Sequence, residues 1–227
     1  MNDNDLRGRY TPSEEVANAM SHLIGLIMSL IVCAWFLSEA FHSADVVSIV
    51  SMSVYLFGVV SSYFASTLYH ACPSRKERMK QNLRKFDHAA IYWHIAGSYT
   101  PITMIAMYGF GATGWAVSVT AFVWLCAVAG TFATFRKMKS HSYFKTLCYV
   151  MMGLFILVAI KPFYDSVGAK IVMLVIFEGI SYIVGAILYS FKKIRYIHSV
   201  FHVFVLFGDL FHMLAVWKVL QMYLLVS

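Results

Sequence analysis

The sequence predicts an all-α integral membrane protein: a bundle of seven transmembrane helices, with the N-terminus in the cytoplasm and the C-terminus outside. Three observations predict it. Of the 227 residues, 60% are hydrophobic and 13% are charged, against about 25% charged in a soluble domain. The apolar residues gather into seven runs, most of them near the ~20 residues that a span requires. The Lys and Arg residues, 18 against 11 acids, stand in short segments between those runs. That placement is the orientation signal of a membrane protein and not a nucleic-acid-binding patch.

The first eighteen residues form a polar tail containing Asp3, Asp5, Glu14 and Glu15, without the basic start and apolar core of a cleavable signal peptide. Residues 19–227 form the transmembrane domain. The first run extends from Ala19 to Phe41, the second from Val46 to His70, and the third from Asp87 to Tyr108. The fourth extends from Trp115 to Phe135. The fifth, Phe144 to Ile160, is the shortest, and Lys161 at its end is placed to snorkel to the headgroups. The sixth covers Ile171 to Phe191 and the seventh His198 to Leu220.

The basic residues choose the orientation. With the N-terminus inside, the inner face holds Arg7 and Arg9. It also holds Arg75, Lys76, Arg78, Lys80, Arg84 and Lys85 before the third run, Arg136, Lys137, Lys139 and Lys145 around the fourth loop, and Lys192, Lys193 and Arg195 before the seventh run. Only Lys161, Lys170 and Lys218 stay outside, a split of 15 to 3. The positive-inside rule then places the N-terminus of this inner-membrane protein in the cytoplasm. Cys33, Cys72, Cys126 and Cys148 show no metal or redox spacing and read as reduced packing residues. Gly58, Ser62 and Ser66 recur every fourth residue on the second helix, a row of small residues that lets another helix approach. His70 continues that row.

The stretch from Ser66 to Asp87 is where chemistry concentrates. His198 and His202 are four apart, which stacks two imidazoles on one helix face. The topology puts them at the level of His70 and Asp87. Three histidines from two helices suit a three-nitrogen Zn2+ site with an open fourth position, with iron, nickel or copper as alternatives. Such an ion lowers the pKa of a bound water toward about 7 and polarises a carbonyl. Asp87 is placed to accept a proton or orient a ligand histidine, and Ser66 to hydrogen-bond the water or a substrate oxygen. The competing reading is that these are interfacial polar residues, since an HxxxH pair recurs readily by chance.

The run Ser66-xxx-His70, Asp87, and His198-xxx-His202 together resemble the three-part signature of the progestin and adiponectin receptor (PAQR) family. The segments Glu14-Glu15-Val16-Ala17-Asn18, Ser21-His22-Leu23-Ile24-Gly25, Phe64-Ala65-Ser66-Thr67-Leu68-Tyr69-His70 and Ala96-Gly97-Ser98-Tyr99-Thr100-Pro101 resemble its bacterial hemolysin III-type branch. The resemblance implies seven helices with a cytoplasmic N-terminus and zinc held by His70, His198 and His202, with Ser66 and Asp87 beside it. Alkaline ceramidases in the wider superfamily imply hydrolysis of a lipid amide within the membrane.

Other ionisable residues fall inside the runs, where they are costly and usually face the interior. His94 lies seven residues beyond Asp87, about 10 Å deeper, and Glu178 lies midway along the sixth run. Both read as interhelical packing bonds. Asp209 and His212 lie within about 40° of His198 around the seventh helix and fit either packing or a polar track. His22 lines or caps the inner end of the first helix, while His42, His88 and His141 read as interfacial. Three functions follow: a zinc-dependent hydrolase of lipid amides or esters serving membrane lipid homeostasis, a membrane-state sensor with structural zinc, and a proton or ion conduit along Asp209 and His212. The expected partners are membrane lipids. A retinal protein is excluded by the lack of a mid-helix lysine in the seventh run, and a G-protein-coupled receptor by the N-terminal orientation.

Overall fold

The structure, a computed structural model, describes residues 10–136, 142–191 and 193–225. Asp3, Asp5, Arg7, Arg9, Lys137, Lys139, His141 and Lys192 lie outside the described residues. Every regular element among the described residues is helical: α1 (Pro12–Ser43), α2 (Val46–Ala71), α3 (Glu77–Pro101) continued by a π segment (Ile102–Met107), α4 (Thr113–Phe135), α5 (Ser142–Gly153) continued by a 3-10 segment (Leu154–Ala159), α6 (Ile160–Tyr189) and α7 (Ile197–Leu224). Among the described residues, five helical stretches are long and apolar enough to cross a membrane: α1, α2, α4, the run from Lys145 to Tyr189, and α7. Exposed Ile, Leu, Val and Phe side chains cover the outside of the bundle, as a lipid-facing surface requires.

The helices begin and end differently from the apolar runs. α1 starts at Pro12, not Ala19, because Thr11 and Glu14 form a reciprocal capping box with proline in the first turn. Glu14 and Glu15, expected in a tail, are therefore helical. α3 starts at Glu77, ten residues before Asp87, so four of the six basic residues expected in a loop, Arg78, Lys80, Arg84 and Lys85, occupy its first turns. This polar beginning explains why α3 is absent from the five apolar stretches.

The fifth and sixth runs join into one long helical stretch, and two features shape it. The Tyr99 hydroxyl donates toward the carbonyls of Met152 (3.1 Å) and Gly153 (2.7 Å) and accepts from the Ile156 amide at 2.8 Å. A side chain inserted into the backbone ladder displaces a regular i to i−4 bond, and the helix tightens to 3-10 geometry at that point. The turn between the two runs comes at Gly168, with φ 72° and ψ 176°, a conformation open essentially to glycine alone. Lys161 is 83% exposed and paired with Asp165 at 2.7 Å.

α2 packs most extensively on α3 and α1, and α6 on α7. The small-residue row on α2 is buried along its length, from Gly58 through Ser62 and Ser66 to His70. A Cβ placed on Gly58 would lie 2.5 Å from the Trp93 carbonyl oxygen and 3.2 Å from the Gly97 Cα. Only glycine permits this approach of α3. The contact fixes the end of α2 beside α3, and so brings His70 and Ser66 to the level of Asp87. All four cysteines are free, with Cys33 and Cys72 buried.

Candidate metal centre

The C-terminal turn of α2 and the N-terminal turns of α1 and α7 meet at one end of the bundle. His70 comes from α2, and His198 and His202 from successive turns of α7. The Nε2 atom of His198 lies 3.2 Å from that of His70 and 3.1 Å from that of His202. One ligand atom from each of the three lies within 4.8 Å of the others, so the cluster can hold a metal ion. Nitrogens bound to zinc at about 2.05 Å in tetrahedral geometry stand about 3.3 Å apart. The observed spacing fits such a donor set, and His70 and His202 are each only 2% exposed.

The outward-facing nitrogens are held by α1. The Nδ1 atom of His70 lies 2.6 Å from Glu15 Oε2, while Lys80 Nζ donates to Glu15 Oε1 at 2.7 Å and to the Cys72 carbonyl at 3.0 Å. The Nδ1 atom of His202 lies 2.9 Å from Ser21 Oγ. Asn18 Oδ1 accepts from Ser199 at 2.6 Å, and Glu14 Oε1 accepts from the Tyr196 amide at 3.0 Å, clamping α1 to the start of α7. The Tyr10 ring stacks on His198 with centroids 4.9 Å apart. Burial, with Tyr189 alongside, pushes the Tyr10 phenol well above its usual range. His22 packs edge-on against His202 at 3.7 Å between centroids, with both ring nitrogens buried and without a hydrogen-bond partner.

Ser66 and Asp87 are brought together, with the serine hydroxyl and His70 near enough to the carboxylate to interact with it. Both line a cavity of about 460 Å³ that also reaches His198, His202 and His88. The cavity continues between α3, the α5 stretch, α6 and α7 as far as Glu178 and His212. Leu157, Ile176 and Ile180 line it and are also exposed on the flank of the bundle, so the cavity reaches the surface that faces lipid. His88, expected to be interfacial, forms part of its wall.

The deeper ionisable groups pair across helices. Asp209 on α7 accepts from the hydroxyls of Tyr63 on α2 and Tyr182 on α6. His94 Nε2 on α3 lies 3.2 Å from Asp209 Oδ1 but off the hydrogen-bond axis. His212 Nδ1 lies 2.9 Å from Glu178 Oε2. These contacts join α2, α3, α6 and α7 in the middle of the bundle.

Sequence reasoning missed Glu15, Ser21 and Tyr10 as neighbours of the cluster. A signal for the first was present. Thr11-Pro12-Ser13-Glu14 is a helix start, and a helix from Pro12 sets Glu15, Asn18 and His22 on one face.

Fold and cluster together define a multi-span helical membrane protein with a histidine-rich centre buried at one end of its bundle. The family model described as haemolysin-III related matches residues 10–213, and the chain belongs to that family, a hemolysin III-type branch of the PAQR proteins. It is 34% identical over 196 residues to Hemolysin-3 of Bacillus cereus, covering 86% of this chain and 87% of that one. It is also 34% identical over 200 residues to a Hemolysin-3 homolog of Bacillus subtilis, covering 88% and 91%. The human Monocyte to macrophage differentiation factor is 26% identical over 219 residues, covering 94% and 88%.

Proposed function

We propose that this protein is a zinc-dependent hydrolase of a lipid amide or ester, working within the inner membrane in the upkeep of its lipid phase. In this reading the chain crosses the membrane seven times, with its N-terminus and the histidine cluster on the cytoplasmic side. The observation that carries the proposal is three convergent imidazole nitrogens at metal-ligand spacing on the wall of a cavity that reaches the lipid-facing flank.

His70, His198 and His202 would hold the ion. When bound, zinc supplies Lewis acidity and an acidified water. The remaining roles belong to the chain's own residues. The Asp87 carboxylate, beside His70, accepts a proton at the mouth of the cluster. The Ser66 hydroxyl, on the same cavity wall as Asp87, can turn to donate to a substrate carbonyl oxygen. Apolar walls, among them Ile91, Ile95, Val150 and Leu154, hold an acyl chain and exclude water. A volume of about 460 Å³ is within the usual range of a small-ligand site, ~300–1,000 Å³.

The test is purified protein assayed against a panel of acyl amides and lysolipids, with metal content measured on the same samples. Wild type should carry about one zinc per chain and turn over one class of substrate. His70→Ala and His202→Ala should lose both. Hydrolysis unaffected by His202→Ala would remove the proposal.

A further inference from the structure

We propose that the first turns of α1 fix the tautomers of two of the three histidines. Glu15 and Ser21 are positioning residues that hold His70 and His202 with the proton on Nδ1, so that both turn an Nε2 lone pair toward the shared centre. The inference rests on the metal-centre reading and deepens it.

The geometry at each ring leaves one assignment. Glu15 Oε1 is taken by the Lys80 ammonium, and Oε2 faces His70 Nδ1 at 2.6 Å. A carboxylate can only accept, so Nδ1 is the donor, and a neutral imidazole with its proton there has a free lone pair on Nε2. At the second ring, Ser21 Oγ donates its single hydrogen to the Asn18 carbonyl at 2.8 Å. Toward His202 Nδ1, at 2.9 Å, that oxygen has only lone pairs left. That neighbour therefore requires Nδ1–H on His202. At His198 the Nδ1 is buried and has no hydrogen-bond partner among the described residues, and the ring is held by packing on Tyr10, Tyr189 and Phe201. Two rings are thus preset by hydrogen bonds and the third by packing alone.

The test uses full-length protein labelled with 15N-histidine, stripped of metal in detergent, with tautomers read from long-range 1H–15N spectra. Zinc affinity is measured separately by competition with a chelating dye. In wild type, His70 and His202 should both appear as Nδ1–H. In Glu15→Gln, Lys80 retains the amide oxygen, so the amide nitrogen faces Nδ1. His70 should then switch to Nε2–H, and zinc affinity should fall by about 10–100-fold, the usual effect of losing such an outer partner. Adding Lys80→Ala to Glu15→Gln frees the amide to turn, and should restore Nδ1–H on His70 and recover affinity. Ser21→Ala should turn His202 into a tautomer mixture. A wild-type His70 carrying its proton on Nε2 would overturn the proposal, as would Glu15→Gln with unchanged tautomer and affinity. Were Glu15→Gln to misfold, the wild-type and Ser21→Ala spectra would still decide. Wild type with the stated tautomers but no affinity for zinc would support this assignment and refute the metal-centre reading.

Discussion

Removing one hydroxyl from the middle of the bundle should be unusually costly. Asp209 has 2% of its side chain exposed, and the donor on its Oδ2 is the Tyr63 hydroxyl. Its Oδ1 has Tyr182 and, at 3.2 Å, His94. Tyr63→Phe leaves the ring in place but strips Oδ2 of that donor. A neutral interhelical hydrogen bond inside a membrane contributes about 0.6 kcal/mol on average, whereas one to a charged group contributes about 1.5–3 kcal/mol. The surrounding donors make Asp209 a carboxylate, so the larger range applies. For a chain of this length, 1 kcal/mol moves Tm by about 2–4 °C, which converts the loss to a fall of about 3–12 °C. Tyr182→Phe should cost less, because His94 remains beside Oδ1. Because both tyrosines serve one carboxylate, the double variant should depart from additivity. The assay is thermal unfolding in detergent, followed by intrinsic fluorescence and by loss of monodisperse protein. A Tyr63→Phe loss below about 1 kcal/mol, or a Tyr182→Phe loss larger than it, would refute the assignment of Asp209 as a buried anion shared by two tyrosines.

Other perturbations separate backbone strain, packing and ligation. Gly168→Ala meets nothing within 4 Å, so its expected cost of about 1–3 kcal/mol is backbone strain alone, and an unchanged unfolding midpoint would contradict the kink. Gly58→Ala should cost about 1–3 kcal/mol by forcing α2 from α3. It should also weaken zinc retention, because the same contact sets the height of His70; metal analysis beside thermal unfolding checks both. Chelation of a zinc-loaded wild type should remove the stabilisation that binding gives, about 2.7 kcal/mol at a hundredfold excess over Kd. Tm should then drop by about 5–11 °C, while His70→Ala should show no response to chelator.

Hydropathy and spacing determined much of this protein without coordinates. Apolar runs long enough to span a bilayer can only be helices there, since no other open segment satisfies its backbone in lipid. The four-residue spacing of His198 and His202 put both rings on one face by helix geometry alone. The glycine and serine row on α2 marked the face that α3 approaches, because close contact in a membrane needs small side chains. Helix limits were less legible, since the polar turn at Pro12 is helical through a capping box that hydropathy does not weigh, and the polar turn at Glu77 is helical without a side-chain cap. Only the tertiary structure decided which nitrogen of each histidine faces the centre. That choice depends on Glu15, Ser21 and Lys80, which lie 55, 181 and 65 residues from the groups they touch. It also decided that Asp209 is shared by tyrosines of two other helices. Hydrogen-bond partners across helices depend on rotation and depth, and neither is written in the order of residues along a single run.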